Sequence, residues 1–215
     1  MTSLRERQKE RRSRGILDAA EALISEKGFE ETSVEEIADR AEVGIATVYN
    51  YFGTKVDLLH AMFERYLESE AILGAKVIQK PPPLLVDGMT ALFGSYLDGL
   101  AERCSKRLLQ EFFAMAISKQ FAYGERTYHL KMHFLEQCRT LALHYEATGQ
   151  LRSTVSADEA AVVCYSAVVF PFSWFTLDTG FDTDTAKRGI HRNLSLLFQG
   201  IGACEKQTEV NTNGT

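Results

Sequence analysis

The side chains best suited to reading another molecule's polar edges sit together in one short segment, Gly44-Ile45-Ala46-Thr47-Val48-Tyr49-Asn50-Tyr51-Phe52. It mixes small residues that permit close backbone approach with hydroxyl and amide groups that bond phosphates or bases. Wound as a helix, it places Val48 and Phe52 on one side to pack inward, leaving Ile45, Ala46, Thr47, Asn50 and Tyr51 outward. Ile45 and Ala46 suit thymine methyls, and Thr47 and Asn50 suit base edges or phosphate. Tyr49 and Tyr51 suit phosphates. The plainer alternatives are packing for Tyr49 and solvated surface for Thr47 and Asn50.

The elements that must position this segment are legible upstream. Ser33 followed by Glu36 is a capping box, so a helix is expected to start there and run to about Arg40. The turn Glu42-Val43-Gly44 follows, and together they make a helix-turn-helix, whose second helix enters the major groove of double-stranded DNA. The helix end at Ser33 could hold a phosphate through its backbone N–H groups. Lys55 stands at the start of the next helix.

The string from Gly28 to Leu59 resembles the signature of the TetR family, with G-F/Y, T-S/T-V, I-A, A-x-V, T-V/L-Y, Y-F and K-x-x-L in register. The resemblance implies a dimeric regulator, commonly a repressor, that grips a palindromic operator and is released by a small-molecule effector. It places Thr47, Tyr49, Tyr51 and Lys55 on positions that commonly touch DNA. Two residues depart from the pattern: Glu42 stands where Gly or Asn is common, so that a left-handed backbone at modest cost is expected there, and Asn50 stands where His is frequent.

A formal charge of −5 over 215 residues looks wrong for a DNA binder until it is mapped along the chain. Arg5, Arg7, Lys9, Arg11, Arg12 and Arg14 face only Glu6 and Glu10 within the first 14 residues, a basic arm that could meet phosphate. A solvated, frayed terminus is the alternative.

Apolar residues recur at helical spacing in segment after segment, so the fold class is all-α, with about nine helices and a short or 3₁₀-like one near Lys106 to Ala122. The expected division is a helix-turn-helix domain of short helices over residues 1–54, a ligand-binding and dimerisation bundle over 55–204, and a polar, disordered tail over 205–215. Breaks fall at Gly28, Gly53-Thr54, Pro81-Pro82-Pro83, Gly124, Gly149 and Gly180.

Ala160 to Phe175 is apolar almost all round, as a helix is when it packs on its own core and on a partner. With the stripe Ile190 to Ile201 it is expected to form half of an intermolecular four-helix bundle in a homodimer. Ser156 and Glu159 cap its start. Tyr96, Phe113, Tyr128, His129, His133, Phe134, Tyr165 and Trp174 are candidates for an effector pocket, with core packing the alternative for any one of them. His129 and His133 share a face at i, i+4 spacing, but no further ligand completes a metal motif, and no cofactor is expected.

Cys104, Cys138, Cys164 and Cys204 lack C-x-x-C spacing and read as reduced thiols. Apolar runs read as interrupted and the charged N-terminus lacks an apolar region behind it, so no membrane span, no signal peptide and a cytoplasmic location are expected. Asp178-Thr179-Gly180 reads as a helix terminus, and no nucleophile elbow or phosphate-cradling loop suggests an enzyme.

Overall fold

In the computed structural model, the described backbone covers residues 3–117, 124–178, 180 and 182–200; side-chain surroundings are described for these except 115–132. Among the described residues the structure is all-helical: α1 (Leu4–Lys27), α2 (Val34–Arg40), α3 (Ile45–Phe52), α4 (Lys55–Gln79), α5 (Leu85–Arg103), α6 (Lys106–Ile117), α7 (Gly124–Ala147), α8 (Ala157–Leu177) and α9 (Thr183–Gln199).

The first helix departs from expectation. It is 24 residues long, and Ser3 with Glu6 closes a capping box at its start, so the basic segment is wound into helix rather than left as an arm. Gly28 ends it with a φ of 93°, a conformation that costs a glycine little. The region near Lys106 is likewise a regular α-helix of 12 residues, and the residues after Ile117 to Ala122 lie outside those described.

Core formation follows the apolar periodicity. Ile16, Ala20 and Ile24 of α1 pack with Ile37 and Ala38 of α2, Val48 of α3 and Leu58, Leu59 and Met62 of α4, all buried. Farther along, Met89, Leu92 and Leu97 of α5 meet Cys138, Leu141 and Tyr145 of α7, Cys164 and Phe175 of α8, and Ile190 and Leu194 of α9. The proline run before α5 is fastened from inside: the Tyr145 hydroxyl donates to the Pro82 carbonyl at 2.6 Å. Only glycine fits at Gly88, because a Cβ there would come within 2.0 Å of that same hydroxyl.

The reading of the apolar runs as interrupted is corrected at α8. No Asp, Glu, Lys or Arg interrupts 160–177, and α8 is long and apolar enough to cross a membrane by length and composition. Its pattern is nonetheless two-sided. Ala160, Ala161, Cys164, Val168, Pro171 and Phe175 are buried against the bundle, while Val162, Val163, Val169, Phe170, Trp174 and Leu177 are exposed along the opposite face.

Candidate nucleic-acid interface

Building the site begins with α2. The Ser33 hydroxyl accepts from the Glu36 N–H at 3.2 Å, and the Glu36 carboxylate accepts from the Ser33 N–H at 2.9 Å. These two backbone donors of the helix end are engaged within the cap. Glu36 also holds Lys27 of α1 at 2.5 Å, and with the Ser33 bonds this lowers its carboxyl to about 2.

The turn is tight. Val43 N–H donates to Ala38 O and Ala41 N–H to Ile37 O, each at 2.9 Å, and Glu42 takes the expected left-handed conformation with φ 54°. The chain then enters α3 at Gly44, where no side chain caps the helix and no acidic residue stands in the first turn. Helix α3 is thus left free of the carboxylates that occupy the first turns of α1, α2 and α4, which favours an approaching anion.

Val48 is the anchor, 3% exposed in the core. From it the outer face follows: Ile45 and Tyr49 are 41% and 47% exposed, Ala46 and Asn50 are exposed, and Thr47 is half-buried. Tyr51 does not join that face. It is half-buried, its ring 6.1 Å from that of Phe52, and it lines an open groove of about 570 Å³ between α1 and α4. Tyr51 stands three residues after buried Val48, on the same side of the helix, and is thereby turned toward the neighbouring helices.

Lys55, which the resemblance sets among the positions that touch DNA, is engaged within the protein. Its ammonium donates to the carbonyls of Phe29 at 2.6 Å, Thr32 at 2.8 Å and Glu30 at 3.3 Å, and lies 4.3 Å from the Phe29 ring centroid. The lysine thereby ties the α1–α2 loop to the start of α4. No signal in the sequence predicts this, since the loop carbonyls are presented by backbone geometry alone.

The expected effector residues divide. Tyr96, Phe134 and Tyr165 are brought together: the Phe134 ring lies 4.4 Å from Tyr96 and 5.9 Å from Tyr165, with Phe93 4.9 Å away. The Tyr96 hydroxyl donates to Gln137 Oε1 at 2.8 Å, and burial pushes both tyrosines above their ordinary range. Phe113 is half-buried on α6. His133 is exposed, and Trp174 stacks beside Phe170 on the outer face of α8, away from the cluster. Tyr128 and His129 lie on α7 with side chains outside the described surroundings. No group of three or more His, Cys, Asp or Glu able to hold a metal occurs among the described residues.

Two ties join α1 and its following loop to the rest. Arg65 of α4 pairs with Asp18 and Glu21, each at 2.6 Å. The neighbouring Tyr66 hydroxyl lies 2.5 Å from Glu21 and 2.8 Å from the carbonyl of Arg103, at the end of α5. From α6, Glu111 accepts the Phe29 N–H at 3.0 Å and Arg107 donates to the Glu26 carbonyl at 2.8 Å, and just before that helix the Ser105 hydroxyl bonds Ser25 at 2.8 Å.

Comparison with known proteins matches this architecture. The family model for bacterial regulatory proteins of the tetR family matches residues 16–62. The transcriptional repressor KstR of Mycobacterium tuberculosis is 33% identical over 153 residues, 58% of this chain and 66% of KstR, so the match spans just under two thirds of that relative. Among solved structures, the regulator FadR of Bacillus subtilis, in complex with stearoyl-CoA, superposes with a TM-score of 0.72 at 18% identity over 87% of this chain and 98% of its own. Thermus thermophilus FadR, a repressor in complex with lauroyl-CoA, gives 0.66 at 21% identity over 91% and 97%.

Proposed function

The chain belongs to the TetR family of bacterial regulatory proteins, and on that premise we propose that it is a cytoplasmic transcriptional repressor that binds a palindromic DNA operator as a homodimer. The observation that carries this reading is the outer face of α3. Ile45, Ala46, Tyr49 and Asn50 stand exposed on a helix fixed from behind by buried Val48, at an N-terminus free of acidic residues. That is the presentation a major-groove reader requires. Dimerisation is supported by the exposed apolar face of α8, since two heads must sit about one helical turn apart (~34 Å) to read two half-sites.

Release is proposed to follow from an apolar effector held near Tyr96, Phe134 and Tyr165. A long-chain acyl thioester is the first class to test, because two solved relatives of the same fold were obtained with stearoyl-CoA and lauroyl-CoA. A second reading, DNA binding without an effector, is favoured by the close mutual packing of these rings, with Tyr96 and Phe134 only 4.4 Å apart. Thermal denaturation with lauroyl-CoA or stearoyl-CoA separates the two: a concentration-dependent rise in Tm supports effector control, and none favours the second.

DNA binding itself is tested by selecting duplexes from a random pool and measuring fluorescence anisotropy. Enrichment of paired half-sites, with affinity lost in Tyr49→Ala at unchanged Tm, supports the function. Failure to bind any duplex at low salt rejects it.

A further inference from the structure

The first turns of α1 form a helical overhang whose basic charge is unanswered among the described residues. Ile16 is the first buried residue of α1, so the helix runs about 18 Å, 12 residues at ~1.5 Å each, before it meets the core. Arg5, Arg7, Lys9, Arg11, Arg12 and Arg14 are all exposed there, and among the described residues none of them makes an ion pair. Several cations elsewhere are paired: Lys27 with Glu36, Arg65 with Asp18 and Glu21, and Lys187 with Asp98. The rest of the chain holds 18 basic and 27 acidic side chains, so the overhang is a positive element on a strongly negative body.

The arrangement is regular. Arg5, Lys9 and Arg12 recur at i, i+4 and i+7, and Arg7, Arg11 and Arg14 repeat that spacing on roughly the opposite side. Like charges at i, i+4 weaken an isolated helix, and an exposed stretch of this length gains little from burial. The Ser3–Glu6 capping box holds it in spite of that. Position completes the picture, since Lys9 and Arg14, one from each stripe, line the same groove as Tyr51 of the recognition helix α3.

From these observations we propose that the overhang of α1 is a second DNA-binding element, sequence-independent, that grips phosphates flanking the base pairs read by α3. The inference rests on the DNA-binding function proposed above. Four carboxylates, Glu6, Glu10, Glu64 and Glu68, line this groove beside Lys9 and Arg14 and exclude phosphate from it, so the DNA backbone meets the sides that carry Arg5, Arg7, Arg11 and Arg12. Paired phosphates would relieve the repulsion within each stripe, and release of their counterions would supply affinity. An anionic membrane would satisfy the same charge, but the proximity of α3 favours DNA.

The experiment uses the full chain and two triple variants, R5Q/K9Q/R12Q and R7Q/R11Q/R14Q, because glutamine preserves helix propensity. Anisotropy is measured on a 40-bp duplex selected from a random pool and on one of unrelated sequence, across a salt series. The slope of log K against log salt should fall by about 0.9 for each phosphate that the variant no longer neutralises. Affinity for both duplexes should fall at least tenfold in one or both variants, with the preference between them kept. Hydroxyl-radical footprints should lose protection only in the flanks. Wild-type slopes in both triples, at unchanged helicity, overturn the proposal. So does binding to phosphatidylserine vesicles that the triples lose while their DNA slopes stay unchanged. A wild-type chain that binds neither duplex at low salt instead fails the function itself.

Discussion

Single residues carry the turn and the loop that fix α3. Glu42 holds a φ of 54°, where a Cβ is crowded and glycine is at ease. Glu42→Gly is therefore expected to stabilise the protein by about 0.5–1 kcal/mol, read as a higher urea midpoint with unchanged m-value. This strain was legible beforehand from the resemblance, because the pattern that the turn follows carries Gly or Asn at that position. The work of Lys55 was not, since carbonyl groups leave no mark in a sequence. Its ammonium serves Phe29, Glu30 and Thr32, so Lys55→Met keeps the stem over the Phe29 ring and removes only the charge. A loss of about 1.5–3 kcal/mol in stability is expected. The salt slope of DNA binding separates this from phosphate contact, which would cost the slope about one unit. An unchanged slope is the expected outcome.

Elements were legible where apolar residues repeat and hidden where they do not. Helix α3 runs from Ile45 to Phe52 as the spacing predicts, because Val48 and Phe52 mark its inner side. Residues 5–15 of α1 hold no large apolar side chain, so periodicity offered no sign of a helix there; the Ser3–Glu6 cap was the one available signal. The aromatic cluster shows another limit, since Tyr96 and Phe134 meet across α5 and α7 and only tertiary packing brings them together. Helix α8 has the reverse property: beyond its first turn it carries no charged residue, and burial alone reveals which half faces its own bundle. Phe170 is 67% exposed on the other half, beside Trp174. Placing a charge there leaves the fold intact and puts an unpaired carboxylate into any apolar interface. Phe170→Glu is expected to sediment as a monomer with the far-UV spectrum of the unaltered chain. A variant that still sediments as a dimer would show that α8 is not the contact.

At the scale of the whole molecule, Glu70 links the bundle interior to the ties that hold α1. Its side chain is fully buried, one carboxylate oxygen paired with Arg103 and the other without a hydrogen-bond partner, packed so closely on Gly99 that a Cβ there would lie 1.7 Å away. Arg103 in turn offers its carbonyl to Tyr66, which shares its hydroxyl with Glu21 of α1. Burial raises the Glu70 carboxyl above its ordinary value, against the opposing pull of Arg103. The folded state therefore keeps a proton that the unfolded state has already released. Stability is highest below the ordinary carboxylate range and declines as pH rises from there through the raised folded value. Removing one member of a buried pair is costly when it strands the other charge, but Arg103 is 41% exposed and can return to water. Glu70→Gln should then flatten that part of the pH dependence and leave the variant at least as stable as the parent at pH 8. Urea titrations of both proteins at pH 5 and pH 8 measure it directly. A variant destabilised equally at the two pH values would mean that the Arg103 contact, rather than the cost of burying charge, dominates at this junction.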